Sequence, residues 1–315
     1  MSDVNDVSNV SDVSNVRNVS GPEFNYGDCI GCGLCILGCP AFEETGFDLL
    51  TARGRNKALQ AGLTAPEMTE PIWACTLCGY CDAICPSGVR NVKIVLKLRR
   101  DLAESGADIV PGFSPAVSGS APPALVLGCT IRERAPHLVP SIQEFLRRIG
   151  RPCGADPSSE SCCGALDVEA GRAAPSRAKA GIVADPVCLE QYDAEFLGLL
   201  AMRHVDRFEF KTPFYYYAPH RIVNRDHAAA YPLYDSLRGR FGCDMNFDLN
   251  RLARSTSAGS VQGLSGRDAR DIPAAVARLL VHSRAERIIT CSPADYLAFK
   301  AYSGRETLFV TECLR

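Results

Sequence analysis

Two stretches of this chain repeat one arrangement of thiols. Cys29, Cys32, Cys35 and Cys39 are followed by Pro40, and Cys75, Cys78, Cys81 and Cys85 by Pro86. Within each run the cysteines are separated by two, two and three residues. No other feature constrains the fold as much, because one short loop must place three sulfurs around a common centre. Gly31, Gly33 and Gly79 allow the backbone to curl that closely. The chain has sixteen cysteines in 315 residues, and twelve of them lie between Cys29 and Cys163. In a small secreted chain such a count suggests disulfides. Here the N-terminus is polar and acidic, without the basic patch and apolar core of a secretory signal, so a cytoplasmic protein is expected. Clustered thiols in a reducing compartment point to metal.

Thiolate is the soft ligand that iron–sulfur clusters require, and this spacing with its proline is the run by which bacterial-type ferredoxins hold [4Fe–4S] clusters. A zinc site expects two cysteine pairs that together make a tetrahedral four. The third cysteine in each loop, and the repetition of the whole pattern, favour iron–sulfur over structural zinc or disulfides. The 35 residues between Cys39 and Cys75 read helical where they are periodic, in "DLLTARGRNKALQAG" and "TAPEMTEPIWACTLC". After the second run, "GVRNVKIVLKLRRDLAES" has the spacing of an amphipathic helix.

Two cysteine runs separated by a long helical insert resemble the α-helical ferredoxin domain. That domain occurs in the iron–sulfur subunits of fumarate reductases, anaerobic glycerol-3-phosphate dehydrogenase and heterodisulfide reductases, and the resemblance covers residues 23–105. It implies two [4Fe–4S] clusters with crossed ligation, in which the fourth cysteine of each run serves the other cluster. Cys29, Cys32, Cys35 and Cys85 would then hold one cluster, and Cys75, Cys78, Cys81 and Cys39 the other. Trp73 and Tyr80 flank the second run and read as packing that shields a cluster from water rather than as an electron route.

Residues 124–315 alternate short apolar runs with helical stretches, which predicts a parallel or mixed sheet covered by helices. "ALVLG", "GIVAD", "FYYYA", "RIITC" and "TLFVTE" read as strands, and "CLEQYDAEFLGLLAMR" as helical. Thirty-two residues separate Cys129 from Cys162-Cys163-Gly164, and Cys188 closes "DPVC". This pattern resembles the cysteine-rich CCG domain, which follows helical ferredoxins in heterodisulfide reductases, glycolate oxidase iron–sulfur subunits, lactate-utilisation proteins and the glycerol-3-phosphate dehydrogenase subunit. The resemblance implies an α/β domain built from two similar halves, the second eroded. Pro219, "STSAG" at 255–259 and Ala294 stand where cysteines of a second copy would be, and Asp185 stands where some members carry another cysteine. A further centre on Cys129, Cys162, Cys163 and Cys188 is therefore expected to be an unusual iron–sulfur cluster, a zinc ion or an empty buried thiol group. Cys153, Cys243 and Cys313 read as small packing residues.

The expected organisation is a low-complexity tail over 1–22, the ferredoxin unit over 23–105, a Gly/Pro/Ser-rich linker over 106–123 and the α/β unit over 124–315. A net charge of −2 gives no basic field for nucleic acid. No apolar run approaches the ~20 residues of a membrane span. Arg90, Lys93, Lys97, Arg99 and Arg100 read as a solvated helix face, with a docking face for an acidic partner as the alternative. No phosphate loop, nucleophile elbow or dinucleotide fingerprint is present. Two-electron chemistry would then belong to a flavoprotein dehydrogenase or reductase partner. The expected function is single-electron relay from that partner to an acceptor such as a quinone, a ferredoxin or a disulfide reductase. Two other readings stand beside it: a catalytic heterodisulfide reductase subunit acting at the CCG centre, and a redox-sensing or scaffolding protein.

Overall fold

The computed structural model describes residues 24–106, 124–153, 162–172, 178–265 and 270–315. The expected tail lies outside the described residues, as does all but the first residue of the expected linker. Residues 24–106 contain helices and turns and, among the described residues, no strand. Helix Ala52–Gln60 starts at Thr51, whose hydroxyl accepts the Gly54 amide at 3.2 Å and so satisfies an orphan donor of the first turn. Helix Asn91–Glu104 turns Val92, Ile94, Val95, Leu98 and Leu102 inward, and Leu98 and Leu102 pack with Met68, Ile72 and Trp73. Between these helices Thr69–Trp73 is a single short helix. Beyond it the chain leaves helical geometry, with Leu77 at φ 55° and Gly79 at φ 78°.

The basic run on helix Asn91–Glu104 divides in two. Lys93, Lys97 and Arg100 are exposed, but Arg99 is wholly buried, contrary to the expectation of a solvated face. One Arg99 Nη donates to the Glu169 carbonyl at 2.7 Å and the other to the Cys75 carbonyl at 2.5 Å. The guanidinium lies over the Trp73 ring, 4.8 Å from its centroid. Carbonyl acceptors and an aromatic face take the place of water, so helical spacing alone does not tell this arginine from its exposed neighbours.

The α/β part contains two separate parallel sheets. In the first, β1 (Leu125–Val126), β2 (Ala178–Val183) and β3 (Tyr192–Phe196) lie in the order β1-β2-β3. The second has the order β5-β4-β6-β7, from β4 (Phe214–Tyr217), β5 (Asp244–Met245), β6 (Arg287–Thr290) and β7 (Glu306–Phe309). All neighbouring strands are parallel, as crossovers through helices require. The strand β3 overturns the helical reading of "QYDAEF". Its pairing of Val183 with Phe196 buries Tyr192 and Phe196 at its two ends, and the helix begins only at Leu197. One core joins the two sheets through Ile182, Phe196, Leu200, Tyr216, Ile289 and Phe309.

The two parts of the chain are in extensive contact. Trp73, Leu98 and Leu102 share a core with Cys163, Leu166, Cys188 and Val261. The Tyr80 hydroxyl donates to Asp248 at 2.5 Å, and Gly171 is so close to the helix end that a Cβ there would lie 2.3 Å from the Arg99 carbonyl. Gly38 is under a similar limit, since a Cβ would meet the Tyr80 ring at 2.3 Å. That ring is held at its hydroxyl and has no room to retreat. Gly38→Ala is therefore expected to destabilise the protein by about 1–3 kcal/mol through overpacking. Urea titration followed by circular dichroism measures this, and an unchanged midpoint would refute the contact.

Candidate metal centres

The eight cysteines of the two runs wall two neighbouring cavities. The first is bounded by Cys29, Cys32, Cys35 and Cys85. Gly31 (φ 76°) and Gly33 (φ 84°) carry its loop through the left-handed region that side chains disfavour. Its floor is fixed by a buried hydrogen bond of 2.8 Å between Asn56 and Asn91. The Val89 amide donates to Cys85 Sγ at 3.4 Å, and such amide–sulfur contacts tune cluster potentials. Its wall reaches the surface: Cys32 is exposed and Ile30 is 70% exposed.

The second cavity is bounded by Cys39, Cys75, Cys78 and Cys81, with Cys35 as part of the wall it shares with the first. Each cavity thus meets three cysteines of one run and the last cysteine of the other. The second lies deeper in the protein. Tyr80 and Leu252 pack against Cys78, and Asn224 donates to the Cys78 carbonyl at 3.1 Å. Burial pushes the Cys78 thiol up to about 12, with Cys39 and Cys75 adding like charge. The Cys39 thiol is also raised, chiefly by burial, while the nearby Arg55 guanidinium pulls the other way. Burial, then the Asp82 carboxylate, raise Cys81 well above the ordinary thiol range. A set of thiolates in such a place is stable only with a cation among them, and iron supplies one. The donors, the cavities and the glycine-bearing loops therefore fit two iron–sulfur clusters.

The four thiols of the α/β part also come together. Cys163 Sγ lies 3.2 Å from Cys188 Sγ, and the Cys162 sulfur accepts from Cys129 and Cys163, which holds its thiol low. The Gly164 amide is 3.5 Å from Cys162 Sγ. Asp185, fully buried beside them, accepts from the Val187 amide at 2.9 Å, and burial raises its carboxyl to about 6. Among the described residues no group of three or more His, Cys, Asp or Glu side chains is gathered around one metal-ion position. Cys153 is half-buried, with its sulfur 3.3 Å from the Arg151 carbonyl. Cys243, Cys291 and Cys313 sit in the apolar core.

A second buried group occupies the matching place beside the other sheet. Cys129 opens helix Cys129–Arg134 three residues after β1, and His220 opens helix His220–Arg225 three residues after β4. Cys188 follows β2 by five residues, and Asp295 follows β6 by five. Counted from strand ends, His220 stands at the offset of Cys129 and Asp295 at that of Cys188, each one position after Pro219 and Ala294. His220 bonds to the Tyr217 hydroxyl (2.9 Å) and the Ser255 hydroxyl (3.2 Å), and Thr256 donates to Asp295. Sequence comparison of short motifs missed this network, since its members are far apart in the chain.

Residues 26–89 match the family model described as a 4Fe-4S dicluster domain. The chain is 35% identical over 80 residues to the glycolate oxidase iron-sulfur subunit of Escherichia coli (strain K12), which covers 24% of this chain and 19% of that one. To a protein of Archaeoglobus profundus that is named as like a heterodisulfide reductase subunit it is also 35% identical over 80 residues, covering 25% of this chain and 42% of the relative. A third relative belongs to a ferredoxin/F(420)H(2)-dependent CoB-CoM heterodisulfide reductase of Methanosarcina acetivorans. The subunit matched there is 31% identical over 78 residues, or 25% of this chain and 47% of that one. The matched segment spans less than half of each of these relatives. Among the described residues no helix is long and apolar enough to cross a membrane. Cysteine spacing, cavity walls and family model agree that residues 26–89 are a 4Fe-4S dicluster domain, and its cofactors are two [4Fe–4S] clusters.

Proposed function

We propose that this protein is an iron–sulfur electron-transfer subunit of an oxidoreductase. In this reading it relays single electrons between a flavin-bearing partner and a downstream acceptor. The observation that carries it is the pair of cavities sharing a wall at Cys35, the first bounded by the exposed Cys32 and the second by the buried Cys78. Single electrons pass readily between centres in such contact. Cys29, Cys32, Cys35 and Cys85 hold the first cluster, and Cys39, Cys75, Cys78 and Cys81 the second. The exposed apolar side chains of Ile30 and Leu34 on the wall of the first cavity suit contact with a partner protein. The relatives' names, a glycolate oxidase subunit and heterodisulfide reductase subunits, support an oxidoreductase complex, and the flavoprotein partner rests on the lack of a dinucleotide fingerprint in this sequence. The acceptor is a quinone, a ferredoxin or a disulfide reductase, and the setting is cytoplasmic, at a membrane only through a partner.

When bound, each cluster supplies a one-electron couple. The chain's own residues hold the loops, exclude water and set the local charge. Gln262 and Arg270, from the α/β part, donate to the carbonyls of Trp73 and Ala74, so the second loop is held from both sides. In this reading Cys129, Cys162, Cys163 and Cys188 are a candidate third centre, with an unusual iron–sulfur cluster as the first reading and a zinc ion or an empty group of buried thiols as the others. The equivalent group in the other half of an ancestrally doubled domain has been replaced by hydrogen bonds among His220, Ser255, Thr256 and Asp295.

Protein purified without oxygen should contain about eight iron atoms per chain in the two clusters. A preparation with neither iron nor acid-labile sulfide would end this reading. Cys39→Ser should remove the same low-temperature EPR signal that Cys78→Ser removes and leave the one sensitive to Cys32→Ser. Cys85→Ser should do the reverse. If Cys39→Ser and Cys32→Ser instead affect one signal, the crossed assignment is wrong. Cys162→Ser should lower iron or zinc beyond the two clusters' share, and unchanged metal content with unchanged spectra would leave the four thiols without a metal.

A further inference from the structure

The charge around the two cavities is uneven. At the first, Arg53 donates to the Gly31 carbonyl at 3.1 Å and is paired with Asp48 at 2.7 Å. Lys57 reaches the Cys29 carbonyl at 2.9 Å from an exposed position. Water and the carboxylate screen both charges. At the second, Arg55 forms part of the cavity wall and is 3% exposed. Its Nη1 donates to the carbonyls of Leu50 (2.7 Å) and Pro71 (3.1 Å). Among the described residues no carboxylate forms an ion pair with it. A guanidinium keeps its charge in any protein environment, and a buried charge without a counter-charge is strongly disfavoured.

We infer that the counter-charge of Arg55 is the cluster in the second cavity, and that Arg55 raises this cluster's reduction potential. The inference rests on the two-cluster reading above. A cluster on four thiolates is anionic and becomes one unit more negative when it takes an electron. A fixed cation close by, in a site with little water, therefore favours the reduced form over the oxidised form. The two carbonyls hold the guanidinium at the wall, so that no reorganisation is needed when the electron arrives. Arg55 is thus a positioning and potential-setting residue and not a ligand. The first cavity has no such unscreened cation, and the two potentials are drawn apart in the direction that moves an electron from the first cluster to the second.

The test is an EPR-monitored redox titration of the full-length protein, comparing wild type with Arg55→Gln and Arg55→Lys. At the potential that half-reduces the second cluster of wild type, Arg55→Gln should show about a tenfold lower ratio of reduced to oxidised cluster, or 59 mV for a one-electron couple. Arg55→Lys should stay near wild type, and the first cluster serves as the internal control in each sample. Loss of the second cluster alone in Arg55→Gln, with rescue by Arg55→Lys, also supports the inference. It is overturned if Arg55→Gln keeps both clusters at unchanged potentials, or if Arg55→Lys fails in the same way as Arg55→Gln, since packing and not charge would then be the role. Absence of clusters from wild type would defeat the two-cluster reading itself, which is a separate result.

Discussion

The side chain of Arg99 is the joint on which the arrangement depends. It leaves helix Asn91–Glu104, crosses the core and binds the carbonyls that precede and open the second cysteine loop, as well as the Glu169 carbonyl of the α/β part. Desolvation lowers this guanidinium to about 10, so it stays charged at neutral pH. A buried cation tolerates such a position because both Nη groups meet carbonyl oxygens and the guanidinium face meets an aromatic ring. One group thereby sets the helix, Trp73, the loop of Cys75 and the neighbouring domain in a single geometry.

The same logic extends along the loop. Gln262, Arg270 and Asn224 bind the carbonyls of Trp73, Ala74 and Cys78, and each lies far from them in sequence. Peptide groups that would otherwise move with solvent are fixed by side chains of a packed α/β layer. Low reorganisation is what a one-electron site requires, and fixed dipoles provide it. The first loop is held differently. Gln60 and Lys57, on helix Ala52–Gln60, bind the Cys29 carbonyl at 3.0 and 2.9 Å from the surface. The second centre thus has the more deeply buried thiols and the first the exposed Cys32, as suits a relay with an entrance and an interior.

The helices of the first unit and most strands of the second could be read from periodicity and turn residues. Residues 192–196 could not, because their local pattern suits the helix that follows, and only pairing with β2 makes them a strand. Asp244–Met245 is too short to carry a pattern at all. Arg99 and Lys97 stand on one helix with the same charge, and their opposite fates depend on what the neighbouring domain presents to each. The network of His220, Ser255, Thr256 and Asp295 escaped motif reading for a similar reason: its members meet only after two strands and their crossovers are in place.

The sequence by itself determined the chemistry of the first unit. Eight thiols at those intervals admit few other centres, because ligand softness and loop length are local properties. Tertiary structure alone decided which cavity each final cysteine faces, since Cys39 and Cys85 are carried there by helix packing and not by their own loops. It also decided that Cys32 of the first cavity is exposed while Cys78 of the second is buried, and that Arg55 lies at the second without a carboxylate. Burial and electrostatic environment are sums over distant neighbours, and no local stretch of sequence contains them.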